Sequence, residues 1–138
     1  MISVHKSIAH PWQCDVLGHL TTRSYVGMFD DASYHFIYDV FGWVGNKDED
    51  GRRAWVDVQH TTKYQAEVSA GDLLEIRASL VKIGTKSITA SYIMQNLKSG
   101  DVAATLDAVY VLFDLETRSG VEISDDLRGA ASKYLDTE

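Results

Sequence analysis

The sequence has 138 residues, of which 45% are hydrophobic and 24% charged, and its formal net charge is -7 at pH 7. These values predict one globular domain covering residues 1–138, and no apolar run approaches the ~18 residues that a membrane span needs. The acidic balance argues against a nucleic-acid-binding surface, because phosphates require clustered Lys and Arg. Cys14 is the only cysteine, and the N-terminus lacks the apolar core of a signal peptide, so we expect a cytoplasmic protein without disulfides.

The first third of the chain contains one strand and one long helix. Residues 2–9 alternate as a weak strand, which Pro11 ends because proline cannot donate to a strand ladder. After a loop, a helix is predicted from about Ser24 to Phe41, and Gly42 suits a left-handed cap. The apolar stripe of this helix repeats at spacings of three and four: Tyr25, Met28, Phe29, Ala32, Phe36, Ile37 and Val40.

Beyond residue 52 the hydrophobic period changes to two, which is typical of strands. Turns that contain glycine divide this part into strands near 53–66, 73–83, 86–97 and 102–115, and residues 124–134 have the pattern of a short terminal helix. Short turns imply antiparallel pairing of consecutive strands, because a parallel crossover needs a dozen or more residues. We therefore predict an α+β fold, with an antiparallel meander packed against one long helix.

The last long strand carries apolar side chains on both of its faces. Leu106 and Tyr110 lie on one face, and Val109, Val111 and Phe113 lie on the other. A single helix covers only one of these faces, so a second subunit is the natural cover for the other. We predict at least a homodimer, and the sequence does not decide whether two dimers pair into a homotetramer.

The loop before the helix holds the residues with the clearest chemical meaning. Asp15 precedes Gly18, whose missing Cβ relieves a tight turn, and the hydroxyls of Thr21 and Ser24 suit a helix start. Free N–H groups at a helix start can hold an oxyanion, while an ionised Asp can attack a carbonyl or activate water. A carboxylate and free helix amides are sufficient for a thioester, because a thiol of pKa near ~8.5 leaves with little help from an acid.

Two stretches of this region form a motif: Asp15-x-x-Gly18-His19-Leu20-Thr21-Thr22-x-x-Tyr25, followed by Phe29-Asp30-Asp31-Ala32. They resemble the signature of the hot-dog-fold acyl-CoA thioesterases of the 4-hydroxybenzoyl-CoA thioesterase type. Later stretches are similar to further landmarks of that family, among them Tyr64-x-x-Glu67 and Gly100-Asp101-x-Ala103. The chain departs from the family at Thr21 and Thr22, where two Asn are common.

The resemblance implies a hot-dog fold, in which a curled antiparallel sheet wraps the long central helix. It also implies hydrolysis of a small or medium acyl-CoA thioester at a site between two subunits, with no organic cofactor or metal. Asp15 is then the catalytic carboxylate, either as nucleophile or as general base. His19 is a catalytic or substrate-contacting residue or, equally, a residue that only holds the loop. The backbone N–H of Tyr25 is expected to be an oxyanion donor.

Further substrate contacts are expected around the same loop and at three lysines. The contacts near the loop are Trp12, Gly18, Thr21, Thr22 and Ser24. Lys63, Lys82 and Lys86 are the candidates for a patch that holds the phosphates of CoA, although lysines at strand ends more often only protect a sheet edge.

Other reactive residue types have a structural interpretation. Cys14 is expected to face away from Asp15, because adjacent residues in extended backbone point in opposite directions. Asp30 and Asp31 are interpreted as one buried anchor and one solvated charge, rather than as an acid–base pair. The histidines show no metal-ligand spacing, so no metal site is predicted. The tryptophans either pack in the core or line an acyl pocket.

Two alternatives to a hydrolase keep the same fold. The first is hydration or dehydration of an acyl thioester, for which the sequence lacks the His-Phe-Pro-like motif of hot-dog dehydratases. The second is a non-catalytic acyl-CoA-binding module, which the departure at Thr21 and Thr22 keeps open. The sequence does not determine the acyl group, nor whether its carrier is CoA or an acyl-carrier protein.

Overall fold

The computed structural model describes residues 1–136. In chain order its elements are β1 (Ile2–Ile8), α1 (Thr22–Phe41), β2 (Arg53–Tyr64), β3 (Leu73–Ile83), β4 (Ser87–Asn96), β5 (Val102–Asp114), β6 (Ser119–Gly120) and α2 (Asp125–Ser132). All strand pairs are antiparallel. The predicted strands and helices are confirmed, whereas the two-residue β6 and the short 3-10 turns at Pro11–Gln13 and Val44–Asn46 were not anticipated. Within residues 1–136 neither helix combines the length and the apolarity of a membrane span.

Helix α1 packs into the concave face of the curled sheet. Every residue of its predicted apolar stripe is buried. Phe36 and Phe29 meet the ring of Tyr92 on β4 edge to face, with centroids 5.8 and 6.4 Å apart. Full burial of one large apolar side chain contributes roughly 1.5–3 kcal/mol, so this stripe supplies much of the force that holds the sheet around the helix. The α+β hot-dog architecture is therefore confirmed.

The strand order differs from the predicted meander. The sheet runs β1-β3-β4-β5-β2, so β2 pairs with β5 rather than with β3. Residues 65–72, which contain the turn taken for a hairpin, instead carry the chain across the end of the sheet. Three strand spacings of about 4.8 Å are well within the reach of eight residues. We call residues 65–72 the crossing segment.

The outer face of β5 keeps part of its apolar surface exposed. β5 lies between β4 and β2, its inner face is buried, and Val109, Val111 and Phe113 on its outer face are half-buried. The Arg118 guanidinium lies 5.4 Å from the centre of the Phe113 ring on that outer face. Large apolar residues with greater exposure lie in the loops before and after α1. A second subunit over β5 stays a prediction.

The end of β5 is fixed by the buried carboxylate of Asp114. Its Oδ1 accepts hydrogen bonds from the backbone N–H groups of Thr117 and Glu116 (3.1 and 2.9 Å), and its Oδ2 accepts one from Arg52 Nε (3.2 Å). The hydrogen bond from Thr117 is the largest of several effects that hold the pKa of Asp114 below its usual range. The folded state therefore favours the ionised carboxylate.

We predict that Asp114→Asn lowers the urea midpoint of unfolding at pH 7, and that its difference from the wild type narrows as the pH falls below about 4. A pKa lowered by folding stabilises the protein above the unfolded-state pKa, and this stabilisation is lost as the pH falls through the folded-state pKa. Asp107→Asn, at an exposed position of the same strand, is the control. A difference of equal size at pH 3 and pH 7 would show that the charge is not the cause.

Candidate active site

The loop that contains Asp15 is held by its own backbone and by the Asp15 side chain. Asp15 N–H donates to the His19 carbonyl (2.8 Å), and Gly18 N–H donates to the Asp15 carbonyl (3.0 Å). The Asp15 Oδ1 accepts from the N–H groups of Leu17 and His19 (2.9 and 3.2 Å). Asp15 thus shapes the turn, while among the described contacts its Oδ2 is not engaged. That second oxygen is available for chemistry.

Helix α1 begins at Thr22, two residues before the predicted start, and this moves the free amides. Tyr25 N–H donates to the Thr21 carbonyl (3.2 Å), as does Ser24 N–H (2.9 Å). The prediction that Tyr25 supplies an oxyanion donor is therefore wrong. Thr22 and Arg23 lie before the first intrahelical bonds, and within the described chain their N–H groups have no backbone acceptor. These two amides, rather than that of Tyr25, are the free donors at the helix start.

Thr21 and Ser24 do not cap the helix with their side chains. Thr21 Oγ1 and Ser24 Oγ both donate to the Gln13 carbonyl, at 3.1 and 3.0 Å. The prediction of side-chain capping is wrong, because the turn at Pro11–Gln13 places the Gln13 carbonyl where it accepts from both hydroxyls, and neither hydroxyl accepts from a helix amide. The two hydroxyls instead fasten the helix start to the loop in front of it.

A cavity of about 370 Å³ opens beside this helix start, within the size range of small-molecule sites. The loop, the first turn of α1, the end of β2 and the crossing segment surround it. Tyr25 and Tyr64 form one wall, with ring centroids 5.1 Å apart at 76°. Burial is the main cause of a raised pKa at Tyr25, so this phenol is neutral at physiological pH. The lining residues are His19, Leu20, Thr22, Tyr25, Tyr64, Gln65, Ala66, Glu67 and Val68.

Glu67 is the site residue that sequence reasoning missed. Its Oε2 lies 3.4 Å from Nε2 of His19, and both side chains line the cavity. The signal was present in the stretch Tyr64-x-x-Glu67, but the residues were assigned to the end of a strand and the start of a hairpin. The crossing segment brings them to the helix start instead.

Asp15 is not among the residues that line the cavity. It is exposed, and the backbone hydrogen bond described above joins it to His19, which does line the cavity. Cys14 turns away from it, since its Sγ lies 3.4 Å from the carbonyl oxygen of His10. The carboxylate is therefore one residue contact away from the cavity wall.

Several predicted contacts lie away from the cavity. The Trp12 ring is 75% exposed and stacks on the His10 ring at 4.2 Å. Lys63 pairs with Thr105 of β5, whereas the carbonyl of Lys86 accepts from Leu112 N–H. Thr105 and Leu112 are seven residues apart on β5, which corresponds to about 24 Å along the strand. Lys82 and Lys86 flank the β3–β4 turn, so the three lysines do not form one patch within a protomer.

The acidic pair on α1 also differs from its interpretation, because Asp30 and Asp31 are both exposed. Partial burial raises the pKa of Asp30, and the nearby carboxylates of Asp57 and Asp31 add to the effect. Asp30 therefore faces the edge strand β2 rather than the core. Within residues 1–136, no three His, Cys, Asp or Glu side chains converge as a metal site would require.

Comparison with known proteins identifies the family. The sequence profile of the Thioesterase-like superfamily matches residues 9–131, a range that contains the loop, the helix start and the crossing segment. The chain belongs to the Thioesterase-like superfamily. A search of curated protein sequences finds no significant match.

Solved structures agree with this assignment at the level of the fold. YbaW, a probable thioesterase from Escherichia coli, superposes with a TM-score of 0.79 at 20% identity over 99% of this chain and 100% of its own. SAV2348 from Staphylococcus aureus, solved in complex with CoA, gives 0.87 at 18% identity over 100% and 90%. Slr0204 from Synechocystis, a 1,4-dihydroxy-2-naphthoyl-CoA thioesterase, gives 0.80 at 15% identity over 93% of each chain. These superfamily structures share the hot-dog fold with this protein.

We predict opposite effects on stability for alanine at two exposed glycines. Gly18 has φ +80°, and a Cβ there would meet no atom within 4 Å, so Gly18→Ala should lower the free energy of unfolding by about 1 kcal/mol through backbone strain alone. Gly27 lies inside α1, and a Cβ there would also meet no atom within 4 Å. Gly27→Ala should therefore raise the free energy of unfolding by about 1 kcal/mol. Urea unfolding measures both. A neutral Gly18→Ala would show that the loop adopts another turn.

Proposed function

We propose that this protein is an acyl-CoA thioesterase of the 4-hydroxybenzoyl-CoA thioesterase type, which hydrolyses a small or medium acyl-CoA thioester. One observation carries the proposal: Asp15, whose second carboxylate oxygen is not engaged among the described contacts, is bonded to the backbone of His19, and His19 lines a cavity together with Thr22 at the helix start. Membership of the superfamily supports it, as do the neighbour solved with CoA and the neighbour described as a naphthoyl-CoA thioesterase. The acyl group itself is left open.

In this proposal the thioester carbonyl oxygen binds at the Thr22 and Arg23 amides. These donors stabilise the negative charge that develops on that oxygen in the tetrahedral intermediate; one such donor is typically worth about 3 kcal/mol. Asp15 either takes a proton from the attacking water or attacks the carbonyl to give a mixed anhydride that water then opens. In both cases the carbon–sulfur bond breaks, and the products are the free acid and CoA. No cofactor or metal takes part.

We further propose that the active form is at least a homodimer, with the edge strand β2 at the interface. β2 is twelve residues long and has only one neighbouring strand in the protomer. Val56 and Val58 on it are 38% and 56% exposed. A long edge with exposed apolar residues favours pairing with another strand. Tyr64 at the end of β2 lines the cavity, so antiparallel pairing of β2 with its own copy would bring the partner's sheet close to the site. A second pairing into a homotetramer is left open.

The remaining proposals concern the cellular compartment and the binding partners of the protein. Cys14 is a free, half-buried thiol, which is compatible with a reducing compartment, and we propose the cytoplasm. The neighbour solved in complex with CoA supports CoA as the substrate's carrier in this proposal. We expect neither nucleic acid nor a membrane as a partner.

A panel of acyl-CoA esters with a thiol-trapping dye tests the reaction. We expect the wild type to release free thiol, and Asp15→Asn to lose at least about a hundredfold in kcat with an unchanged circular dichroism spectrum. Asp50→Asn, at an exposed position in the loop between α1 and β2, is the matched control with unchanged kcat. Hydration products without thiol would identify a hydratase, and binding without turnover would identify a binding module. An Asp15→Asn variant as active as the wild type would remove the carboxylate from the mechanism.

Sedimentation velocity tests the interface. We expect the wild type to sediment as a dimer or larger, and Val58→Lys to sediment as a monomer because the interface would bury an unpaired charge. Val81→Lys, at a 52% exposed valine on β3, is the control and should leave the assembly unchanged. A wild type that is monomeric yet active would contradict the proposed interface.

A further inference from the structure

We infer that Glu67 and His19 work as a carboxylate–imidazole pair that delivers a proton to the departing thiolate. The inference rests on the proposed thioesterase function and adds a step to it. His19 Nε2 and Glu67 Oε2 are 3.4 Å apart, although 48 residues separate them in sequence. Both line the cavity that begins at Thr22. The pair is therefore built by the fold at the place where the carbon–sulfur bond would break.

The backbone on each side of the pair is fixed independently. His19 is held by its N–H bond to Asp15 Oδ1 and by a bridge to Ser69. Glu67 lies between two anchored neighbours, since Ala66 N–H donates to the Ala103 carbonyl and the Val68 carbonyl accepts from Leu20 N–H (3.2 and 2.8 Å). The imidazole and the carboxylate thus face each other on two rigid supports. Small side-chain movements alone shorten the contact when substrate binds.

The position of the carboxylate dictates how the imidazole is used. A carboxylate next to Nε2 accepts from an N–H on that nitrogen and so fixes the orientation of the ring. This leaves Nδ1 as the ring nitrogen that exchanges a proton with the reaction. Glu67 touches neither the substrate nor the reacting atoms in this arrangement, so it is a positioning residue for His19.

The proton balance closes for both possible roles of Asp15. If Asp15 takes a proton from water, the tetrahedral intermediate expels the thiolate, and the thiolate takes a proton from the imidazolium. The neutral imidazole then takes back a proton from the Asp15 carboxyl. If Asp15 is the nucleophile, the thiolate again takes the imidazolium proton, and the neutral imidazole then accepts a proton from the water that opens the anhydride. Each turnover consumes one water and returns His19 to its starting state.

The expected effects are moderate, for two physical reasons. A thiolate is a good leaving group, so acid assistance contributes less than it would for an amide. The Glu67 side chain is 78% exposed, so water screens its charge. We expect Glu67→Gln to lower kcat about tenfold and His19→Gln to lower it about a hundredfold, with KM within about twofold of the wild type in both.

The experiment combines steady-state kinetics with NMR. Glu67→Gln, His19→Gln and the double variant are assayed with the acyl-CoA ester that the wild type hydrolyses fastest. If Glu67 acts through His19, the double variant is no slower than His19→Gln alone. Long-range ¹⁵N–¹H NMR, recorded at a pH at which the imidazole is neutral, should place the proton on Nε2 in the wild type and show mixed tautomers in Glu67→Ala. Glu122→Gln, at an exposed position before α2, is the carboxylate control and should change nothing.

Each result has a defined meaning. Additive losses in the double variant, an unchanged kcat in Glu67→Gln, or a His19 tautomer that is insensitive to Glu67→Ala would overturn the pair while leaving thioester hydrolysis intact. A wild type that releases no thiol from any ester would overturn the proposed function and the proton delivery with it. A tenfold loss in kcat with unchanged KM, absent in the His19→Gln background, supports the inference.

Discussion

The whole site depends on one backbone contact, the hydrogen bond of 2.8 Å from Leu20 N–H to the Val68 carbonyl. It joins the loop before α1 to the crossing segment, and the bridges Cys14 to Leu20 and His19 to Ser69 extend the same seam. Buried backbone N–H and C=O groups need hydrogen-bond partners. The crossing segment is therefore stable at the end of the sheet only where another segment supplies those partners. The Asp15 loop supplies them here, and the cavity is the space enclosed between the two.

This construction explains how an acidic protein can offer a place for a negative oxygen. The net charge is -7, and the carboxylate of Glu67 stands in the wall of the cavity. The first amides of a helix carry partial positive charge that acts over a few ångströms, which is the range over which an oxyanion is held. Global charge controls which large partners approach, whereas fixed local dipoles control what binds in the cavity.

In the proposed function, the Asp15 carboxylate combines a structural role in the turn with a catalytic one. As a turn residue, it accepts two loop N–H groups through Oδ1, and these bonds hold the side chain in one orientation. A side chain already held in place loses little further entropy when it acts on a substrate. The structural role of one oxygen thus prepares the other oxygen for chemistry.

The apolar stripe of α1 and the extents of the long strands followed from the sequence, because periodicity and turn residues act through neighbours in the chain. The partner of β2 did not follow, since many strands share its alternation and only the path of residues 65–72 selects β5. The helix begins two residues before its predicted start because the hydroxyls of Thr21 and Ser24 donate to the Gln13 carbonyl.

By itself, then, the sequence determined the family motif, the elements and the carboxylate at residue 15. Only the tertiary structure decided that Glu67 meets His19 and that the lysines lie apart, because those distances depend on how remote segments pack rather than on local spacing.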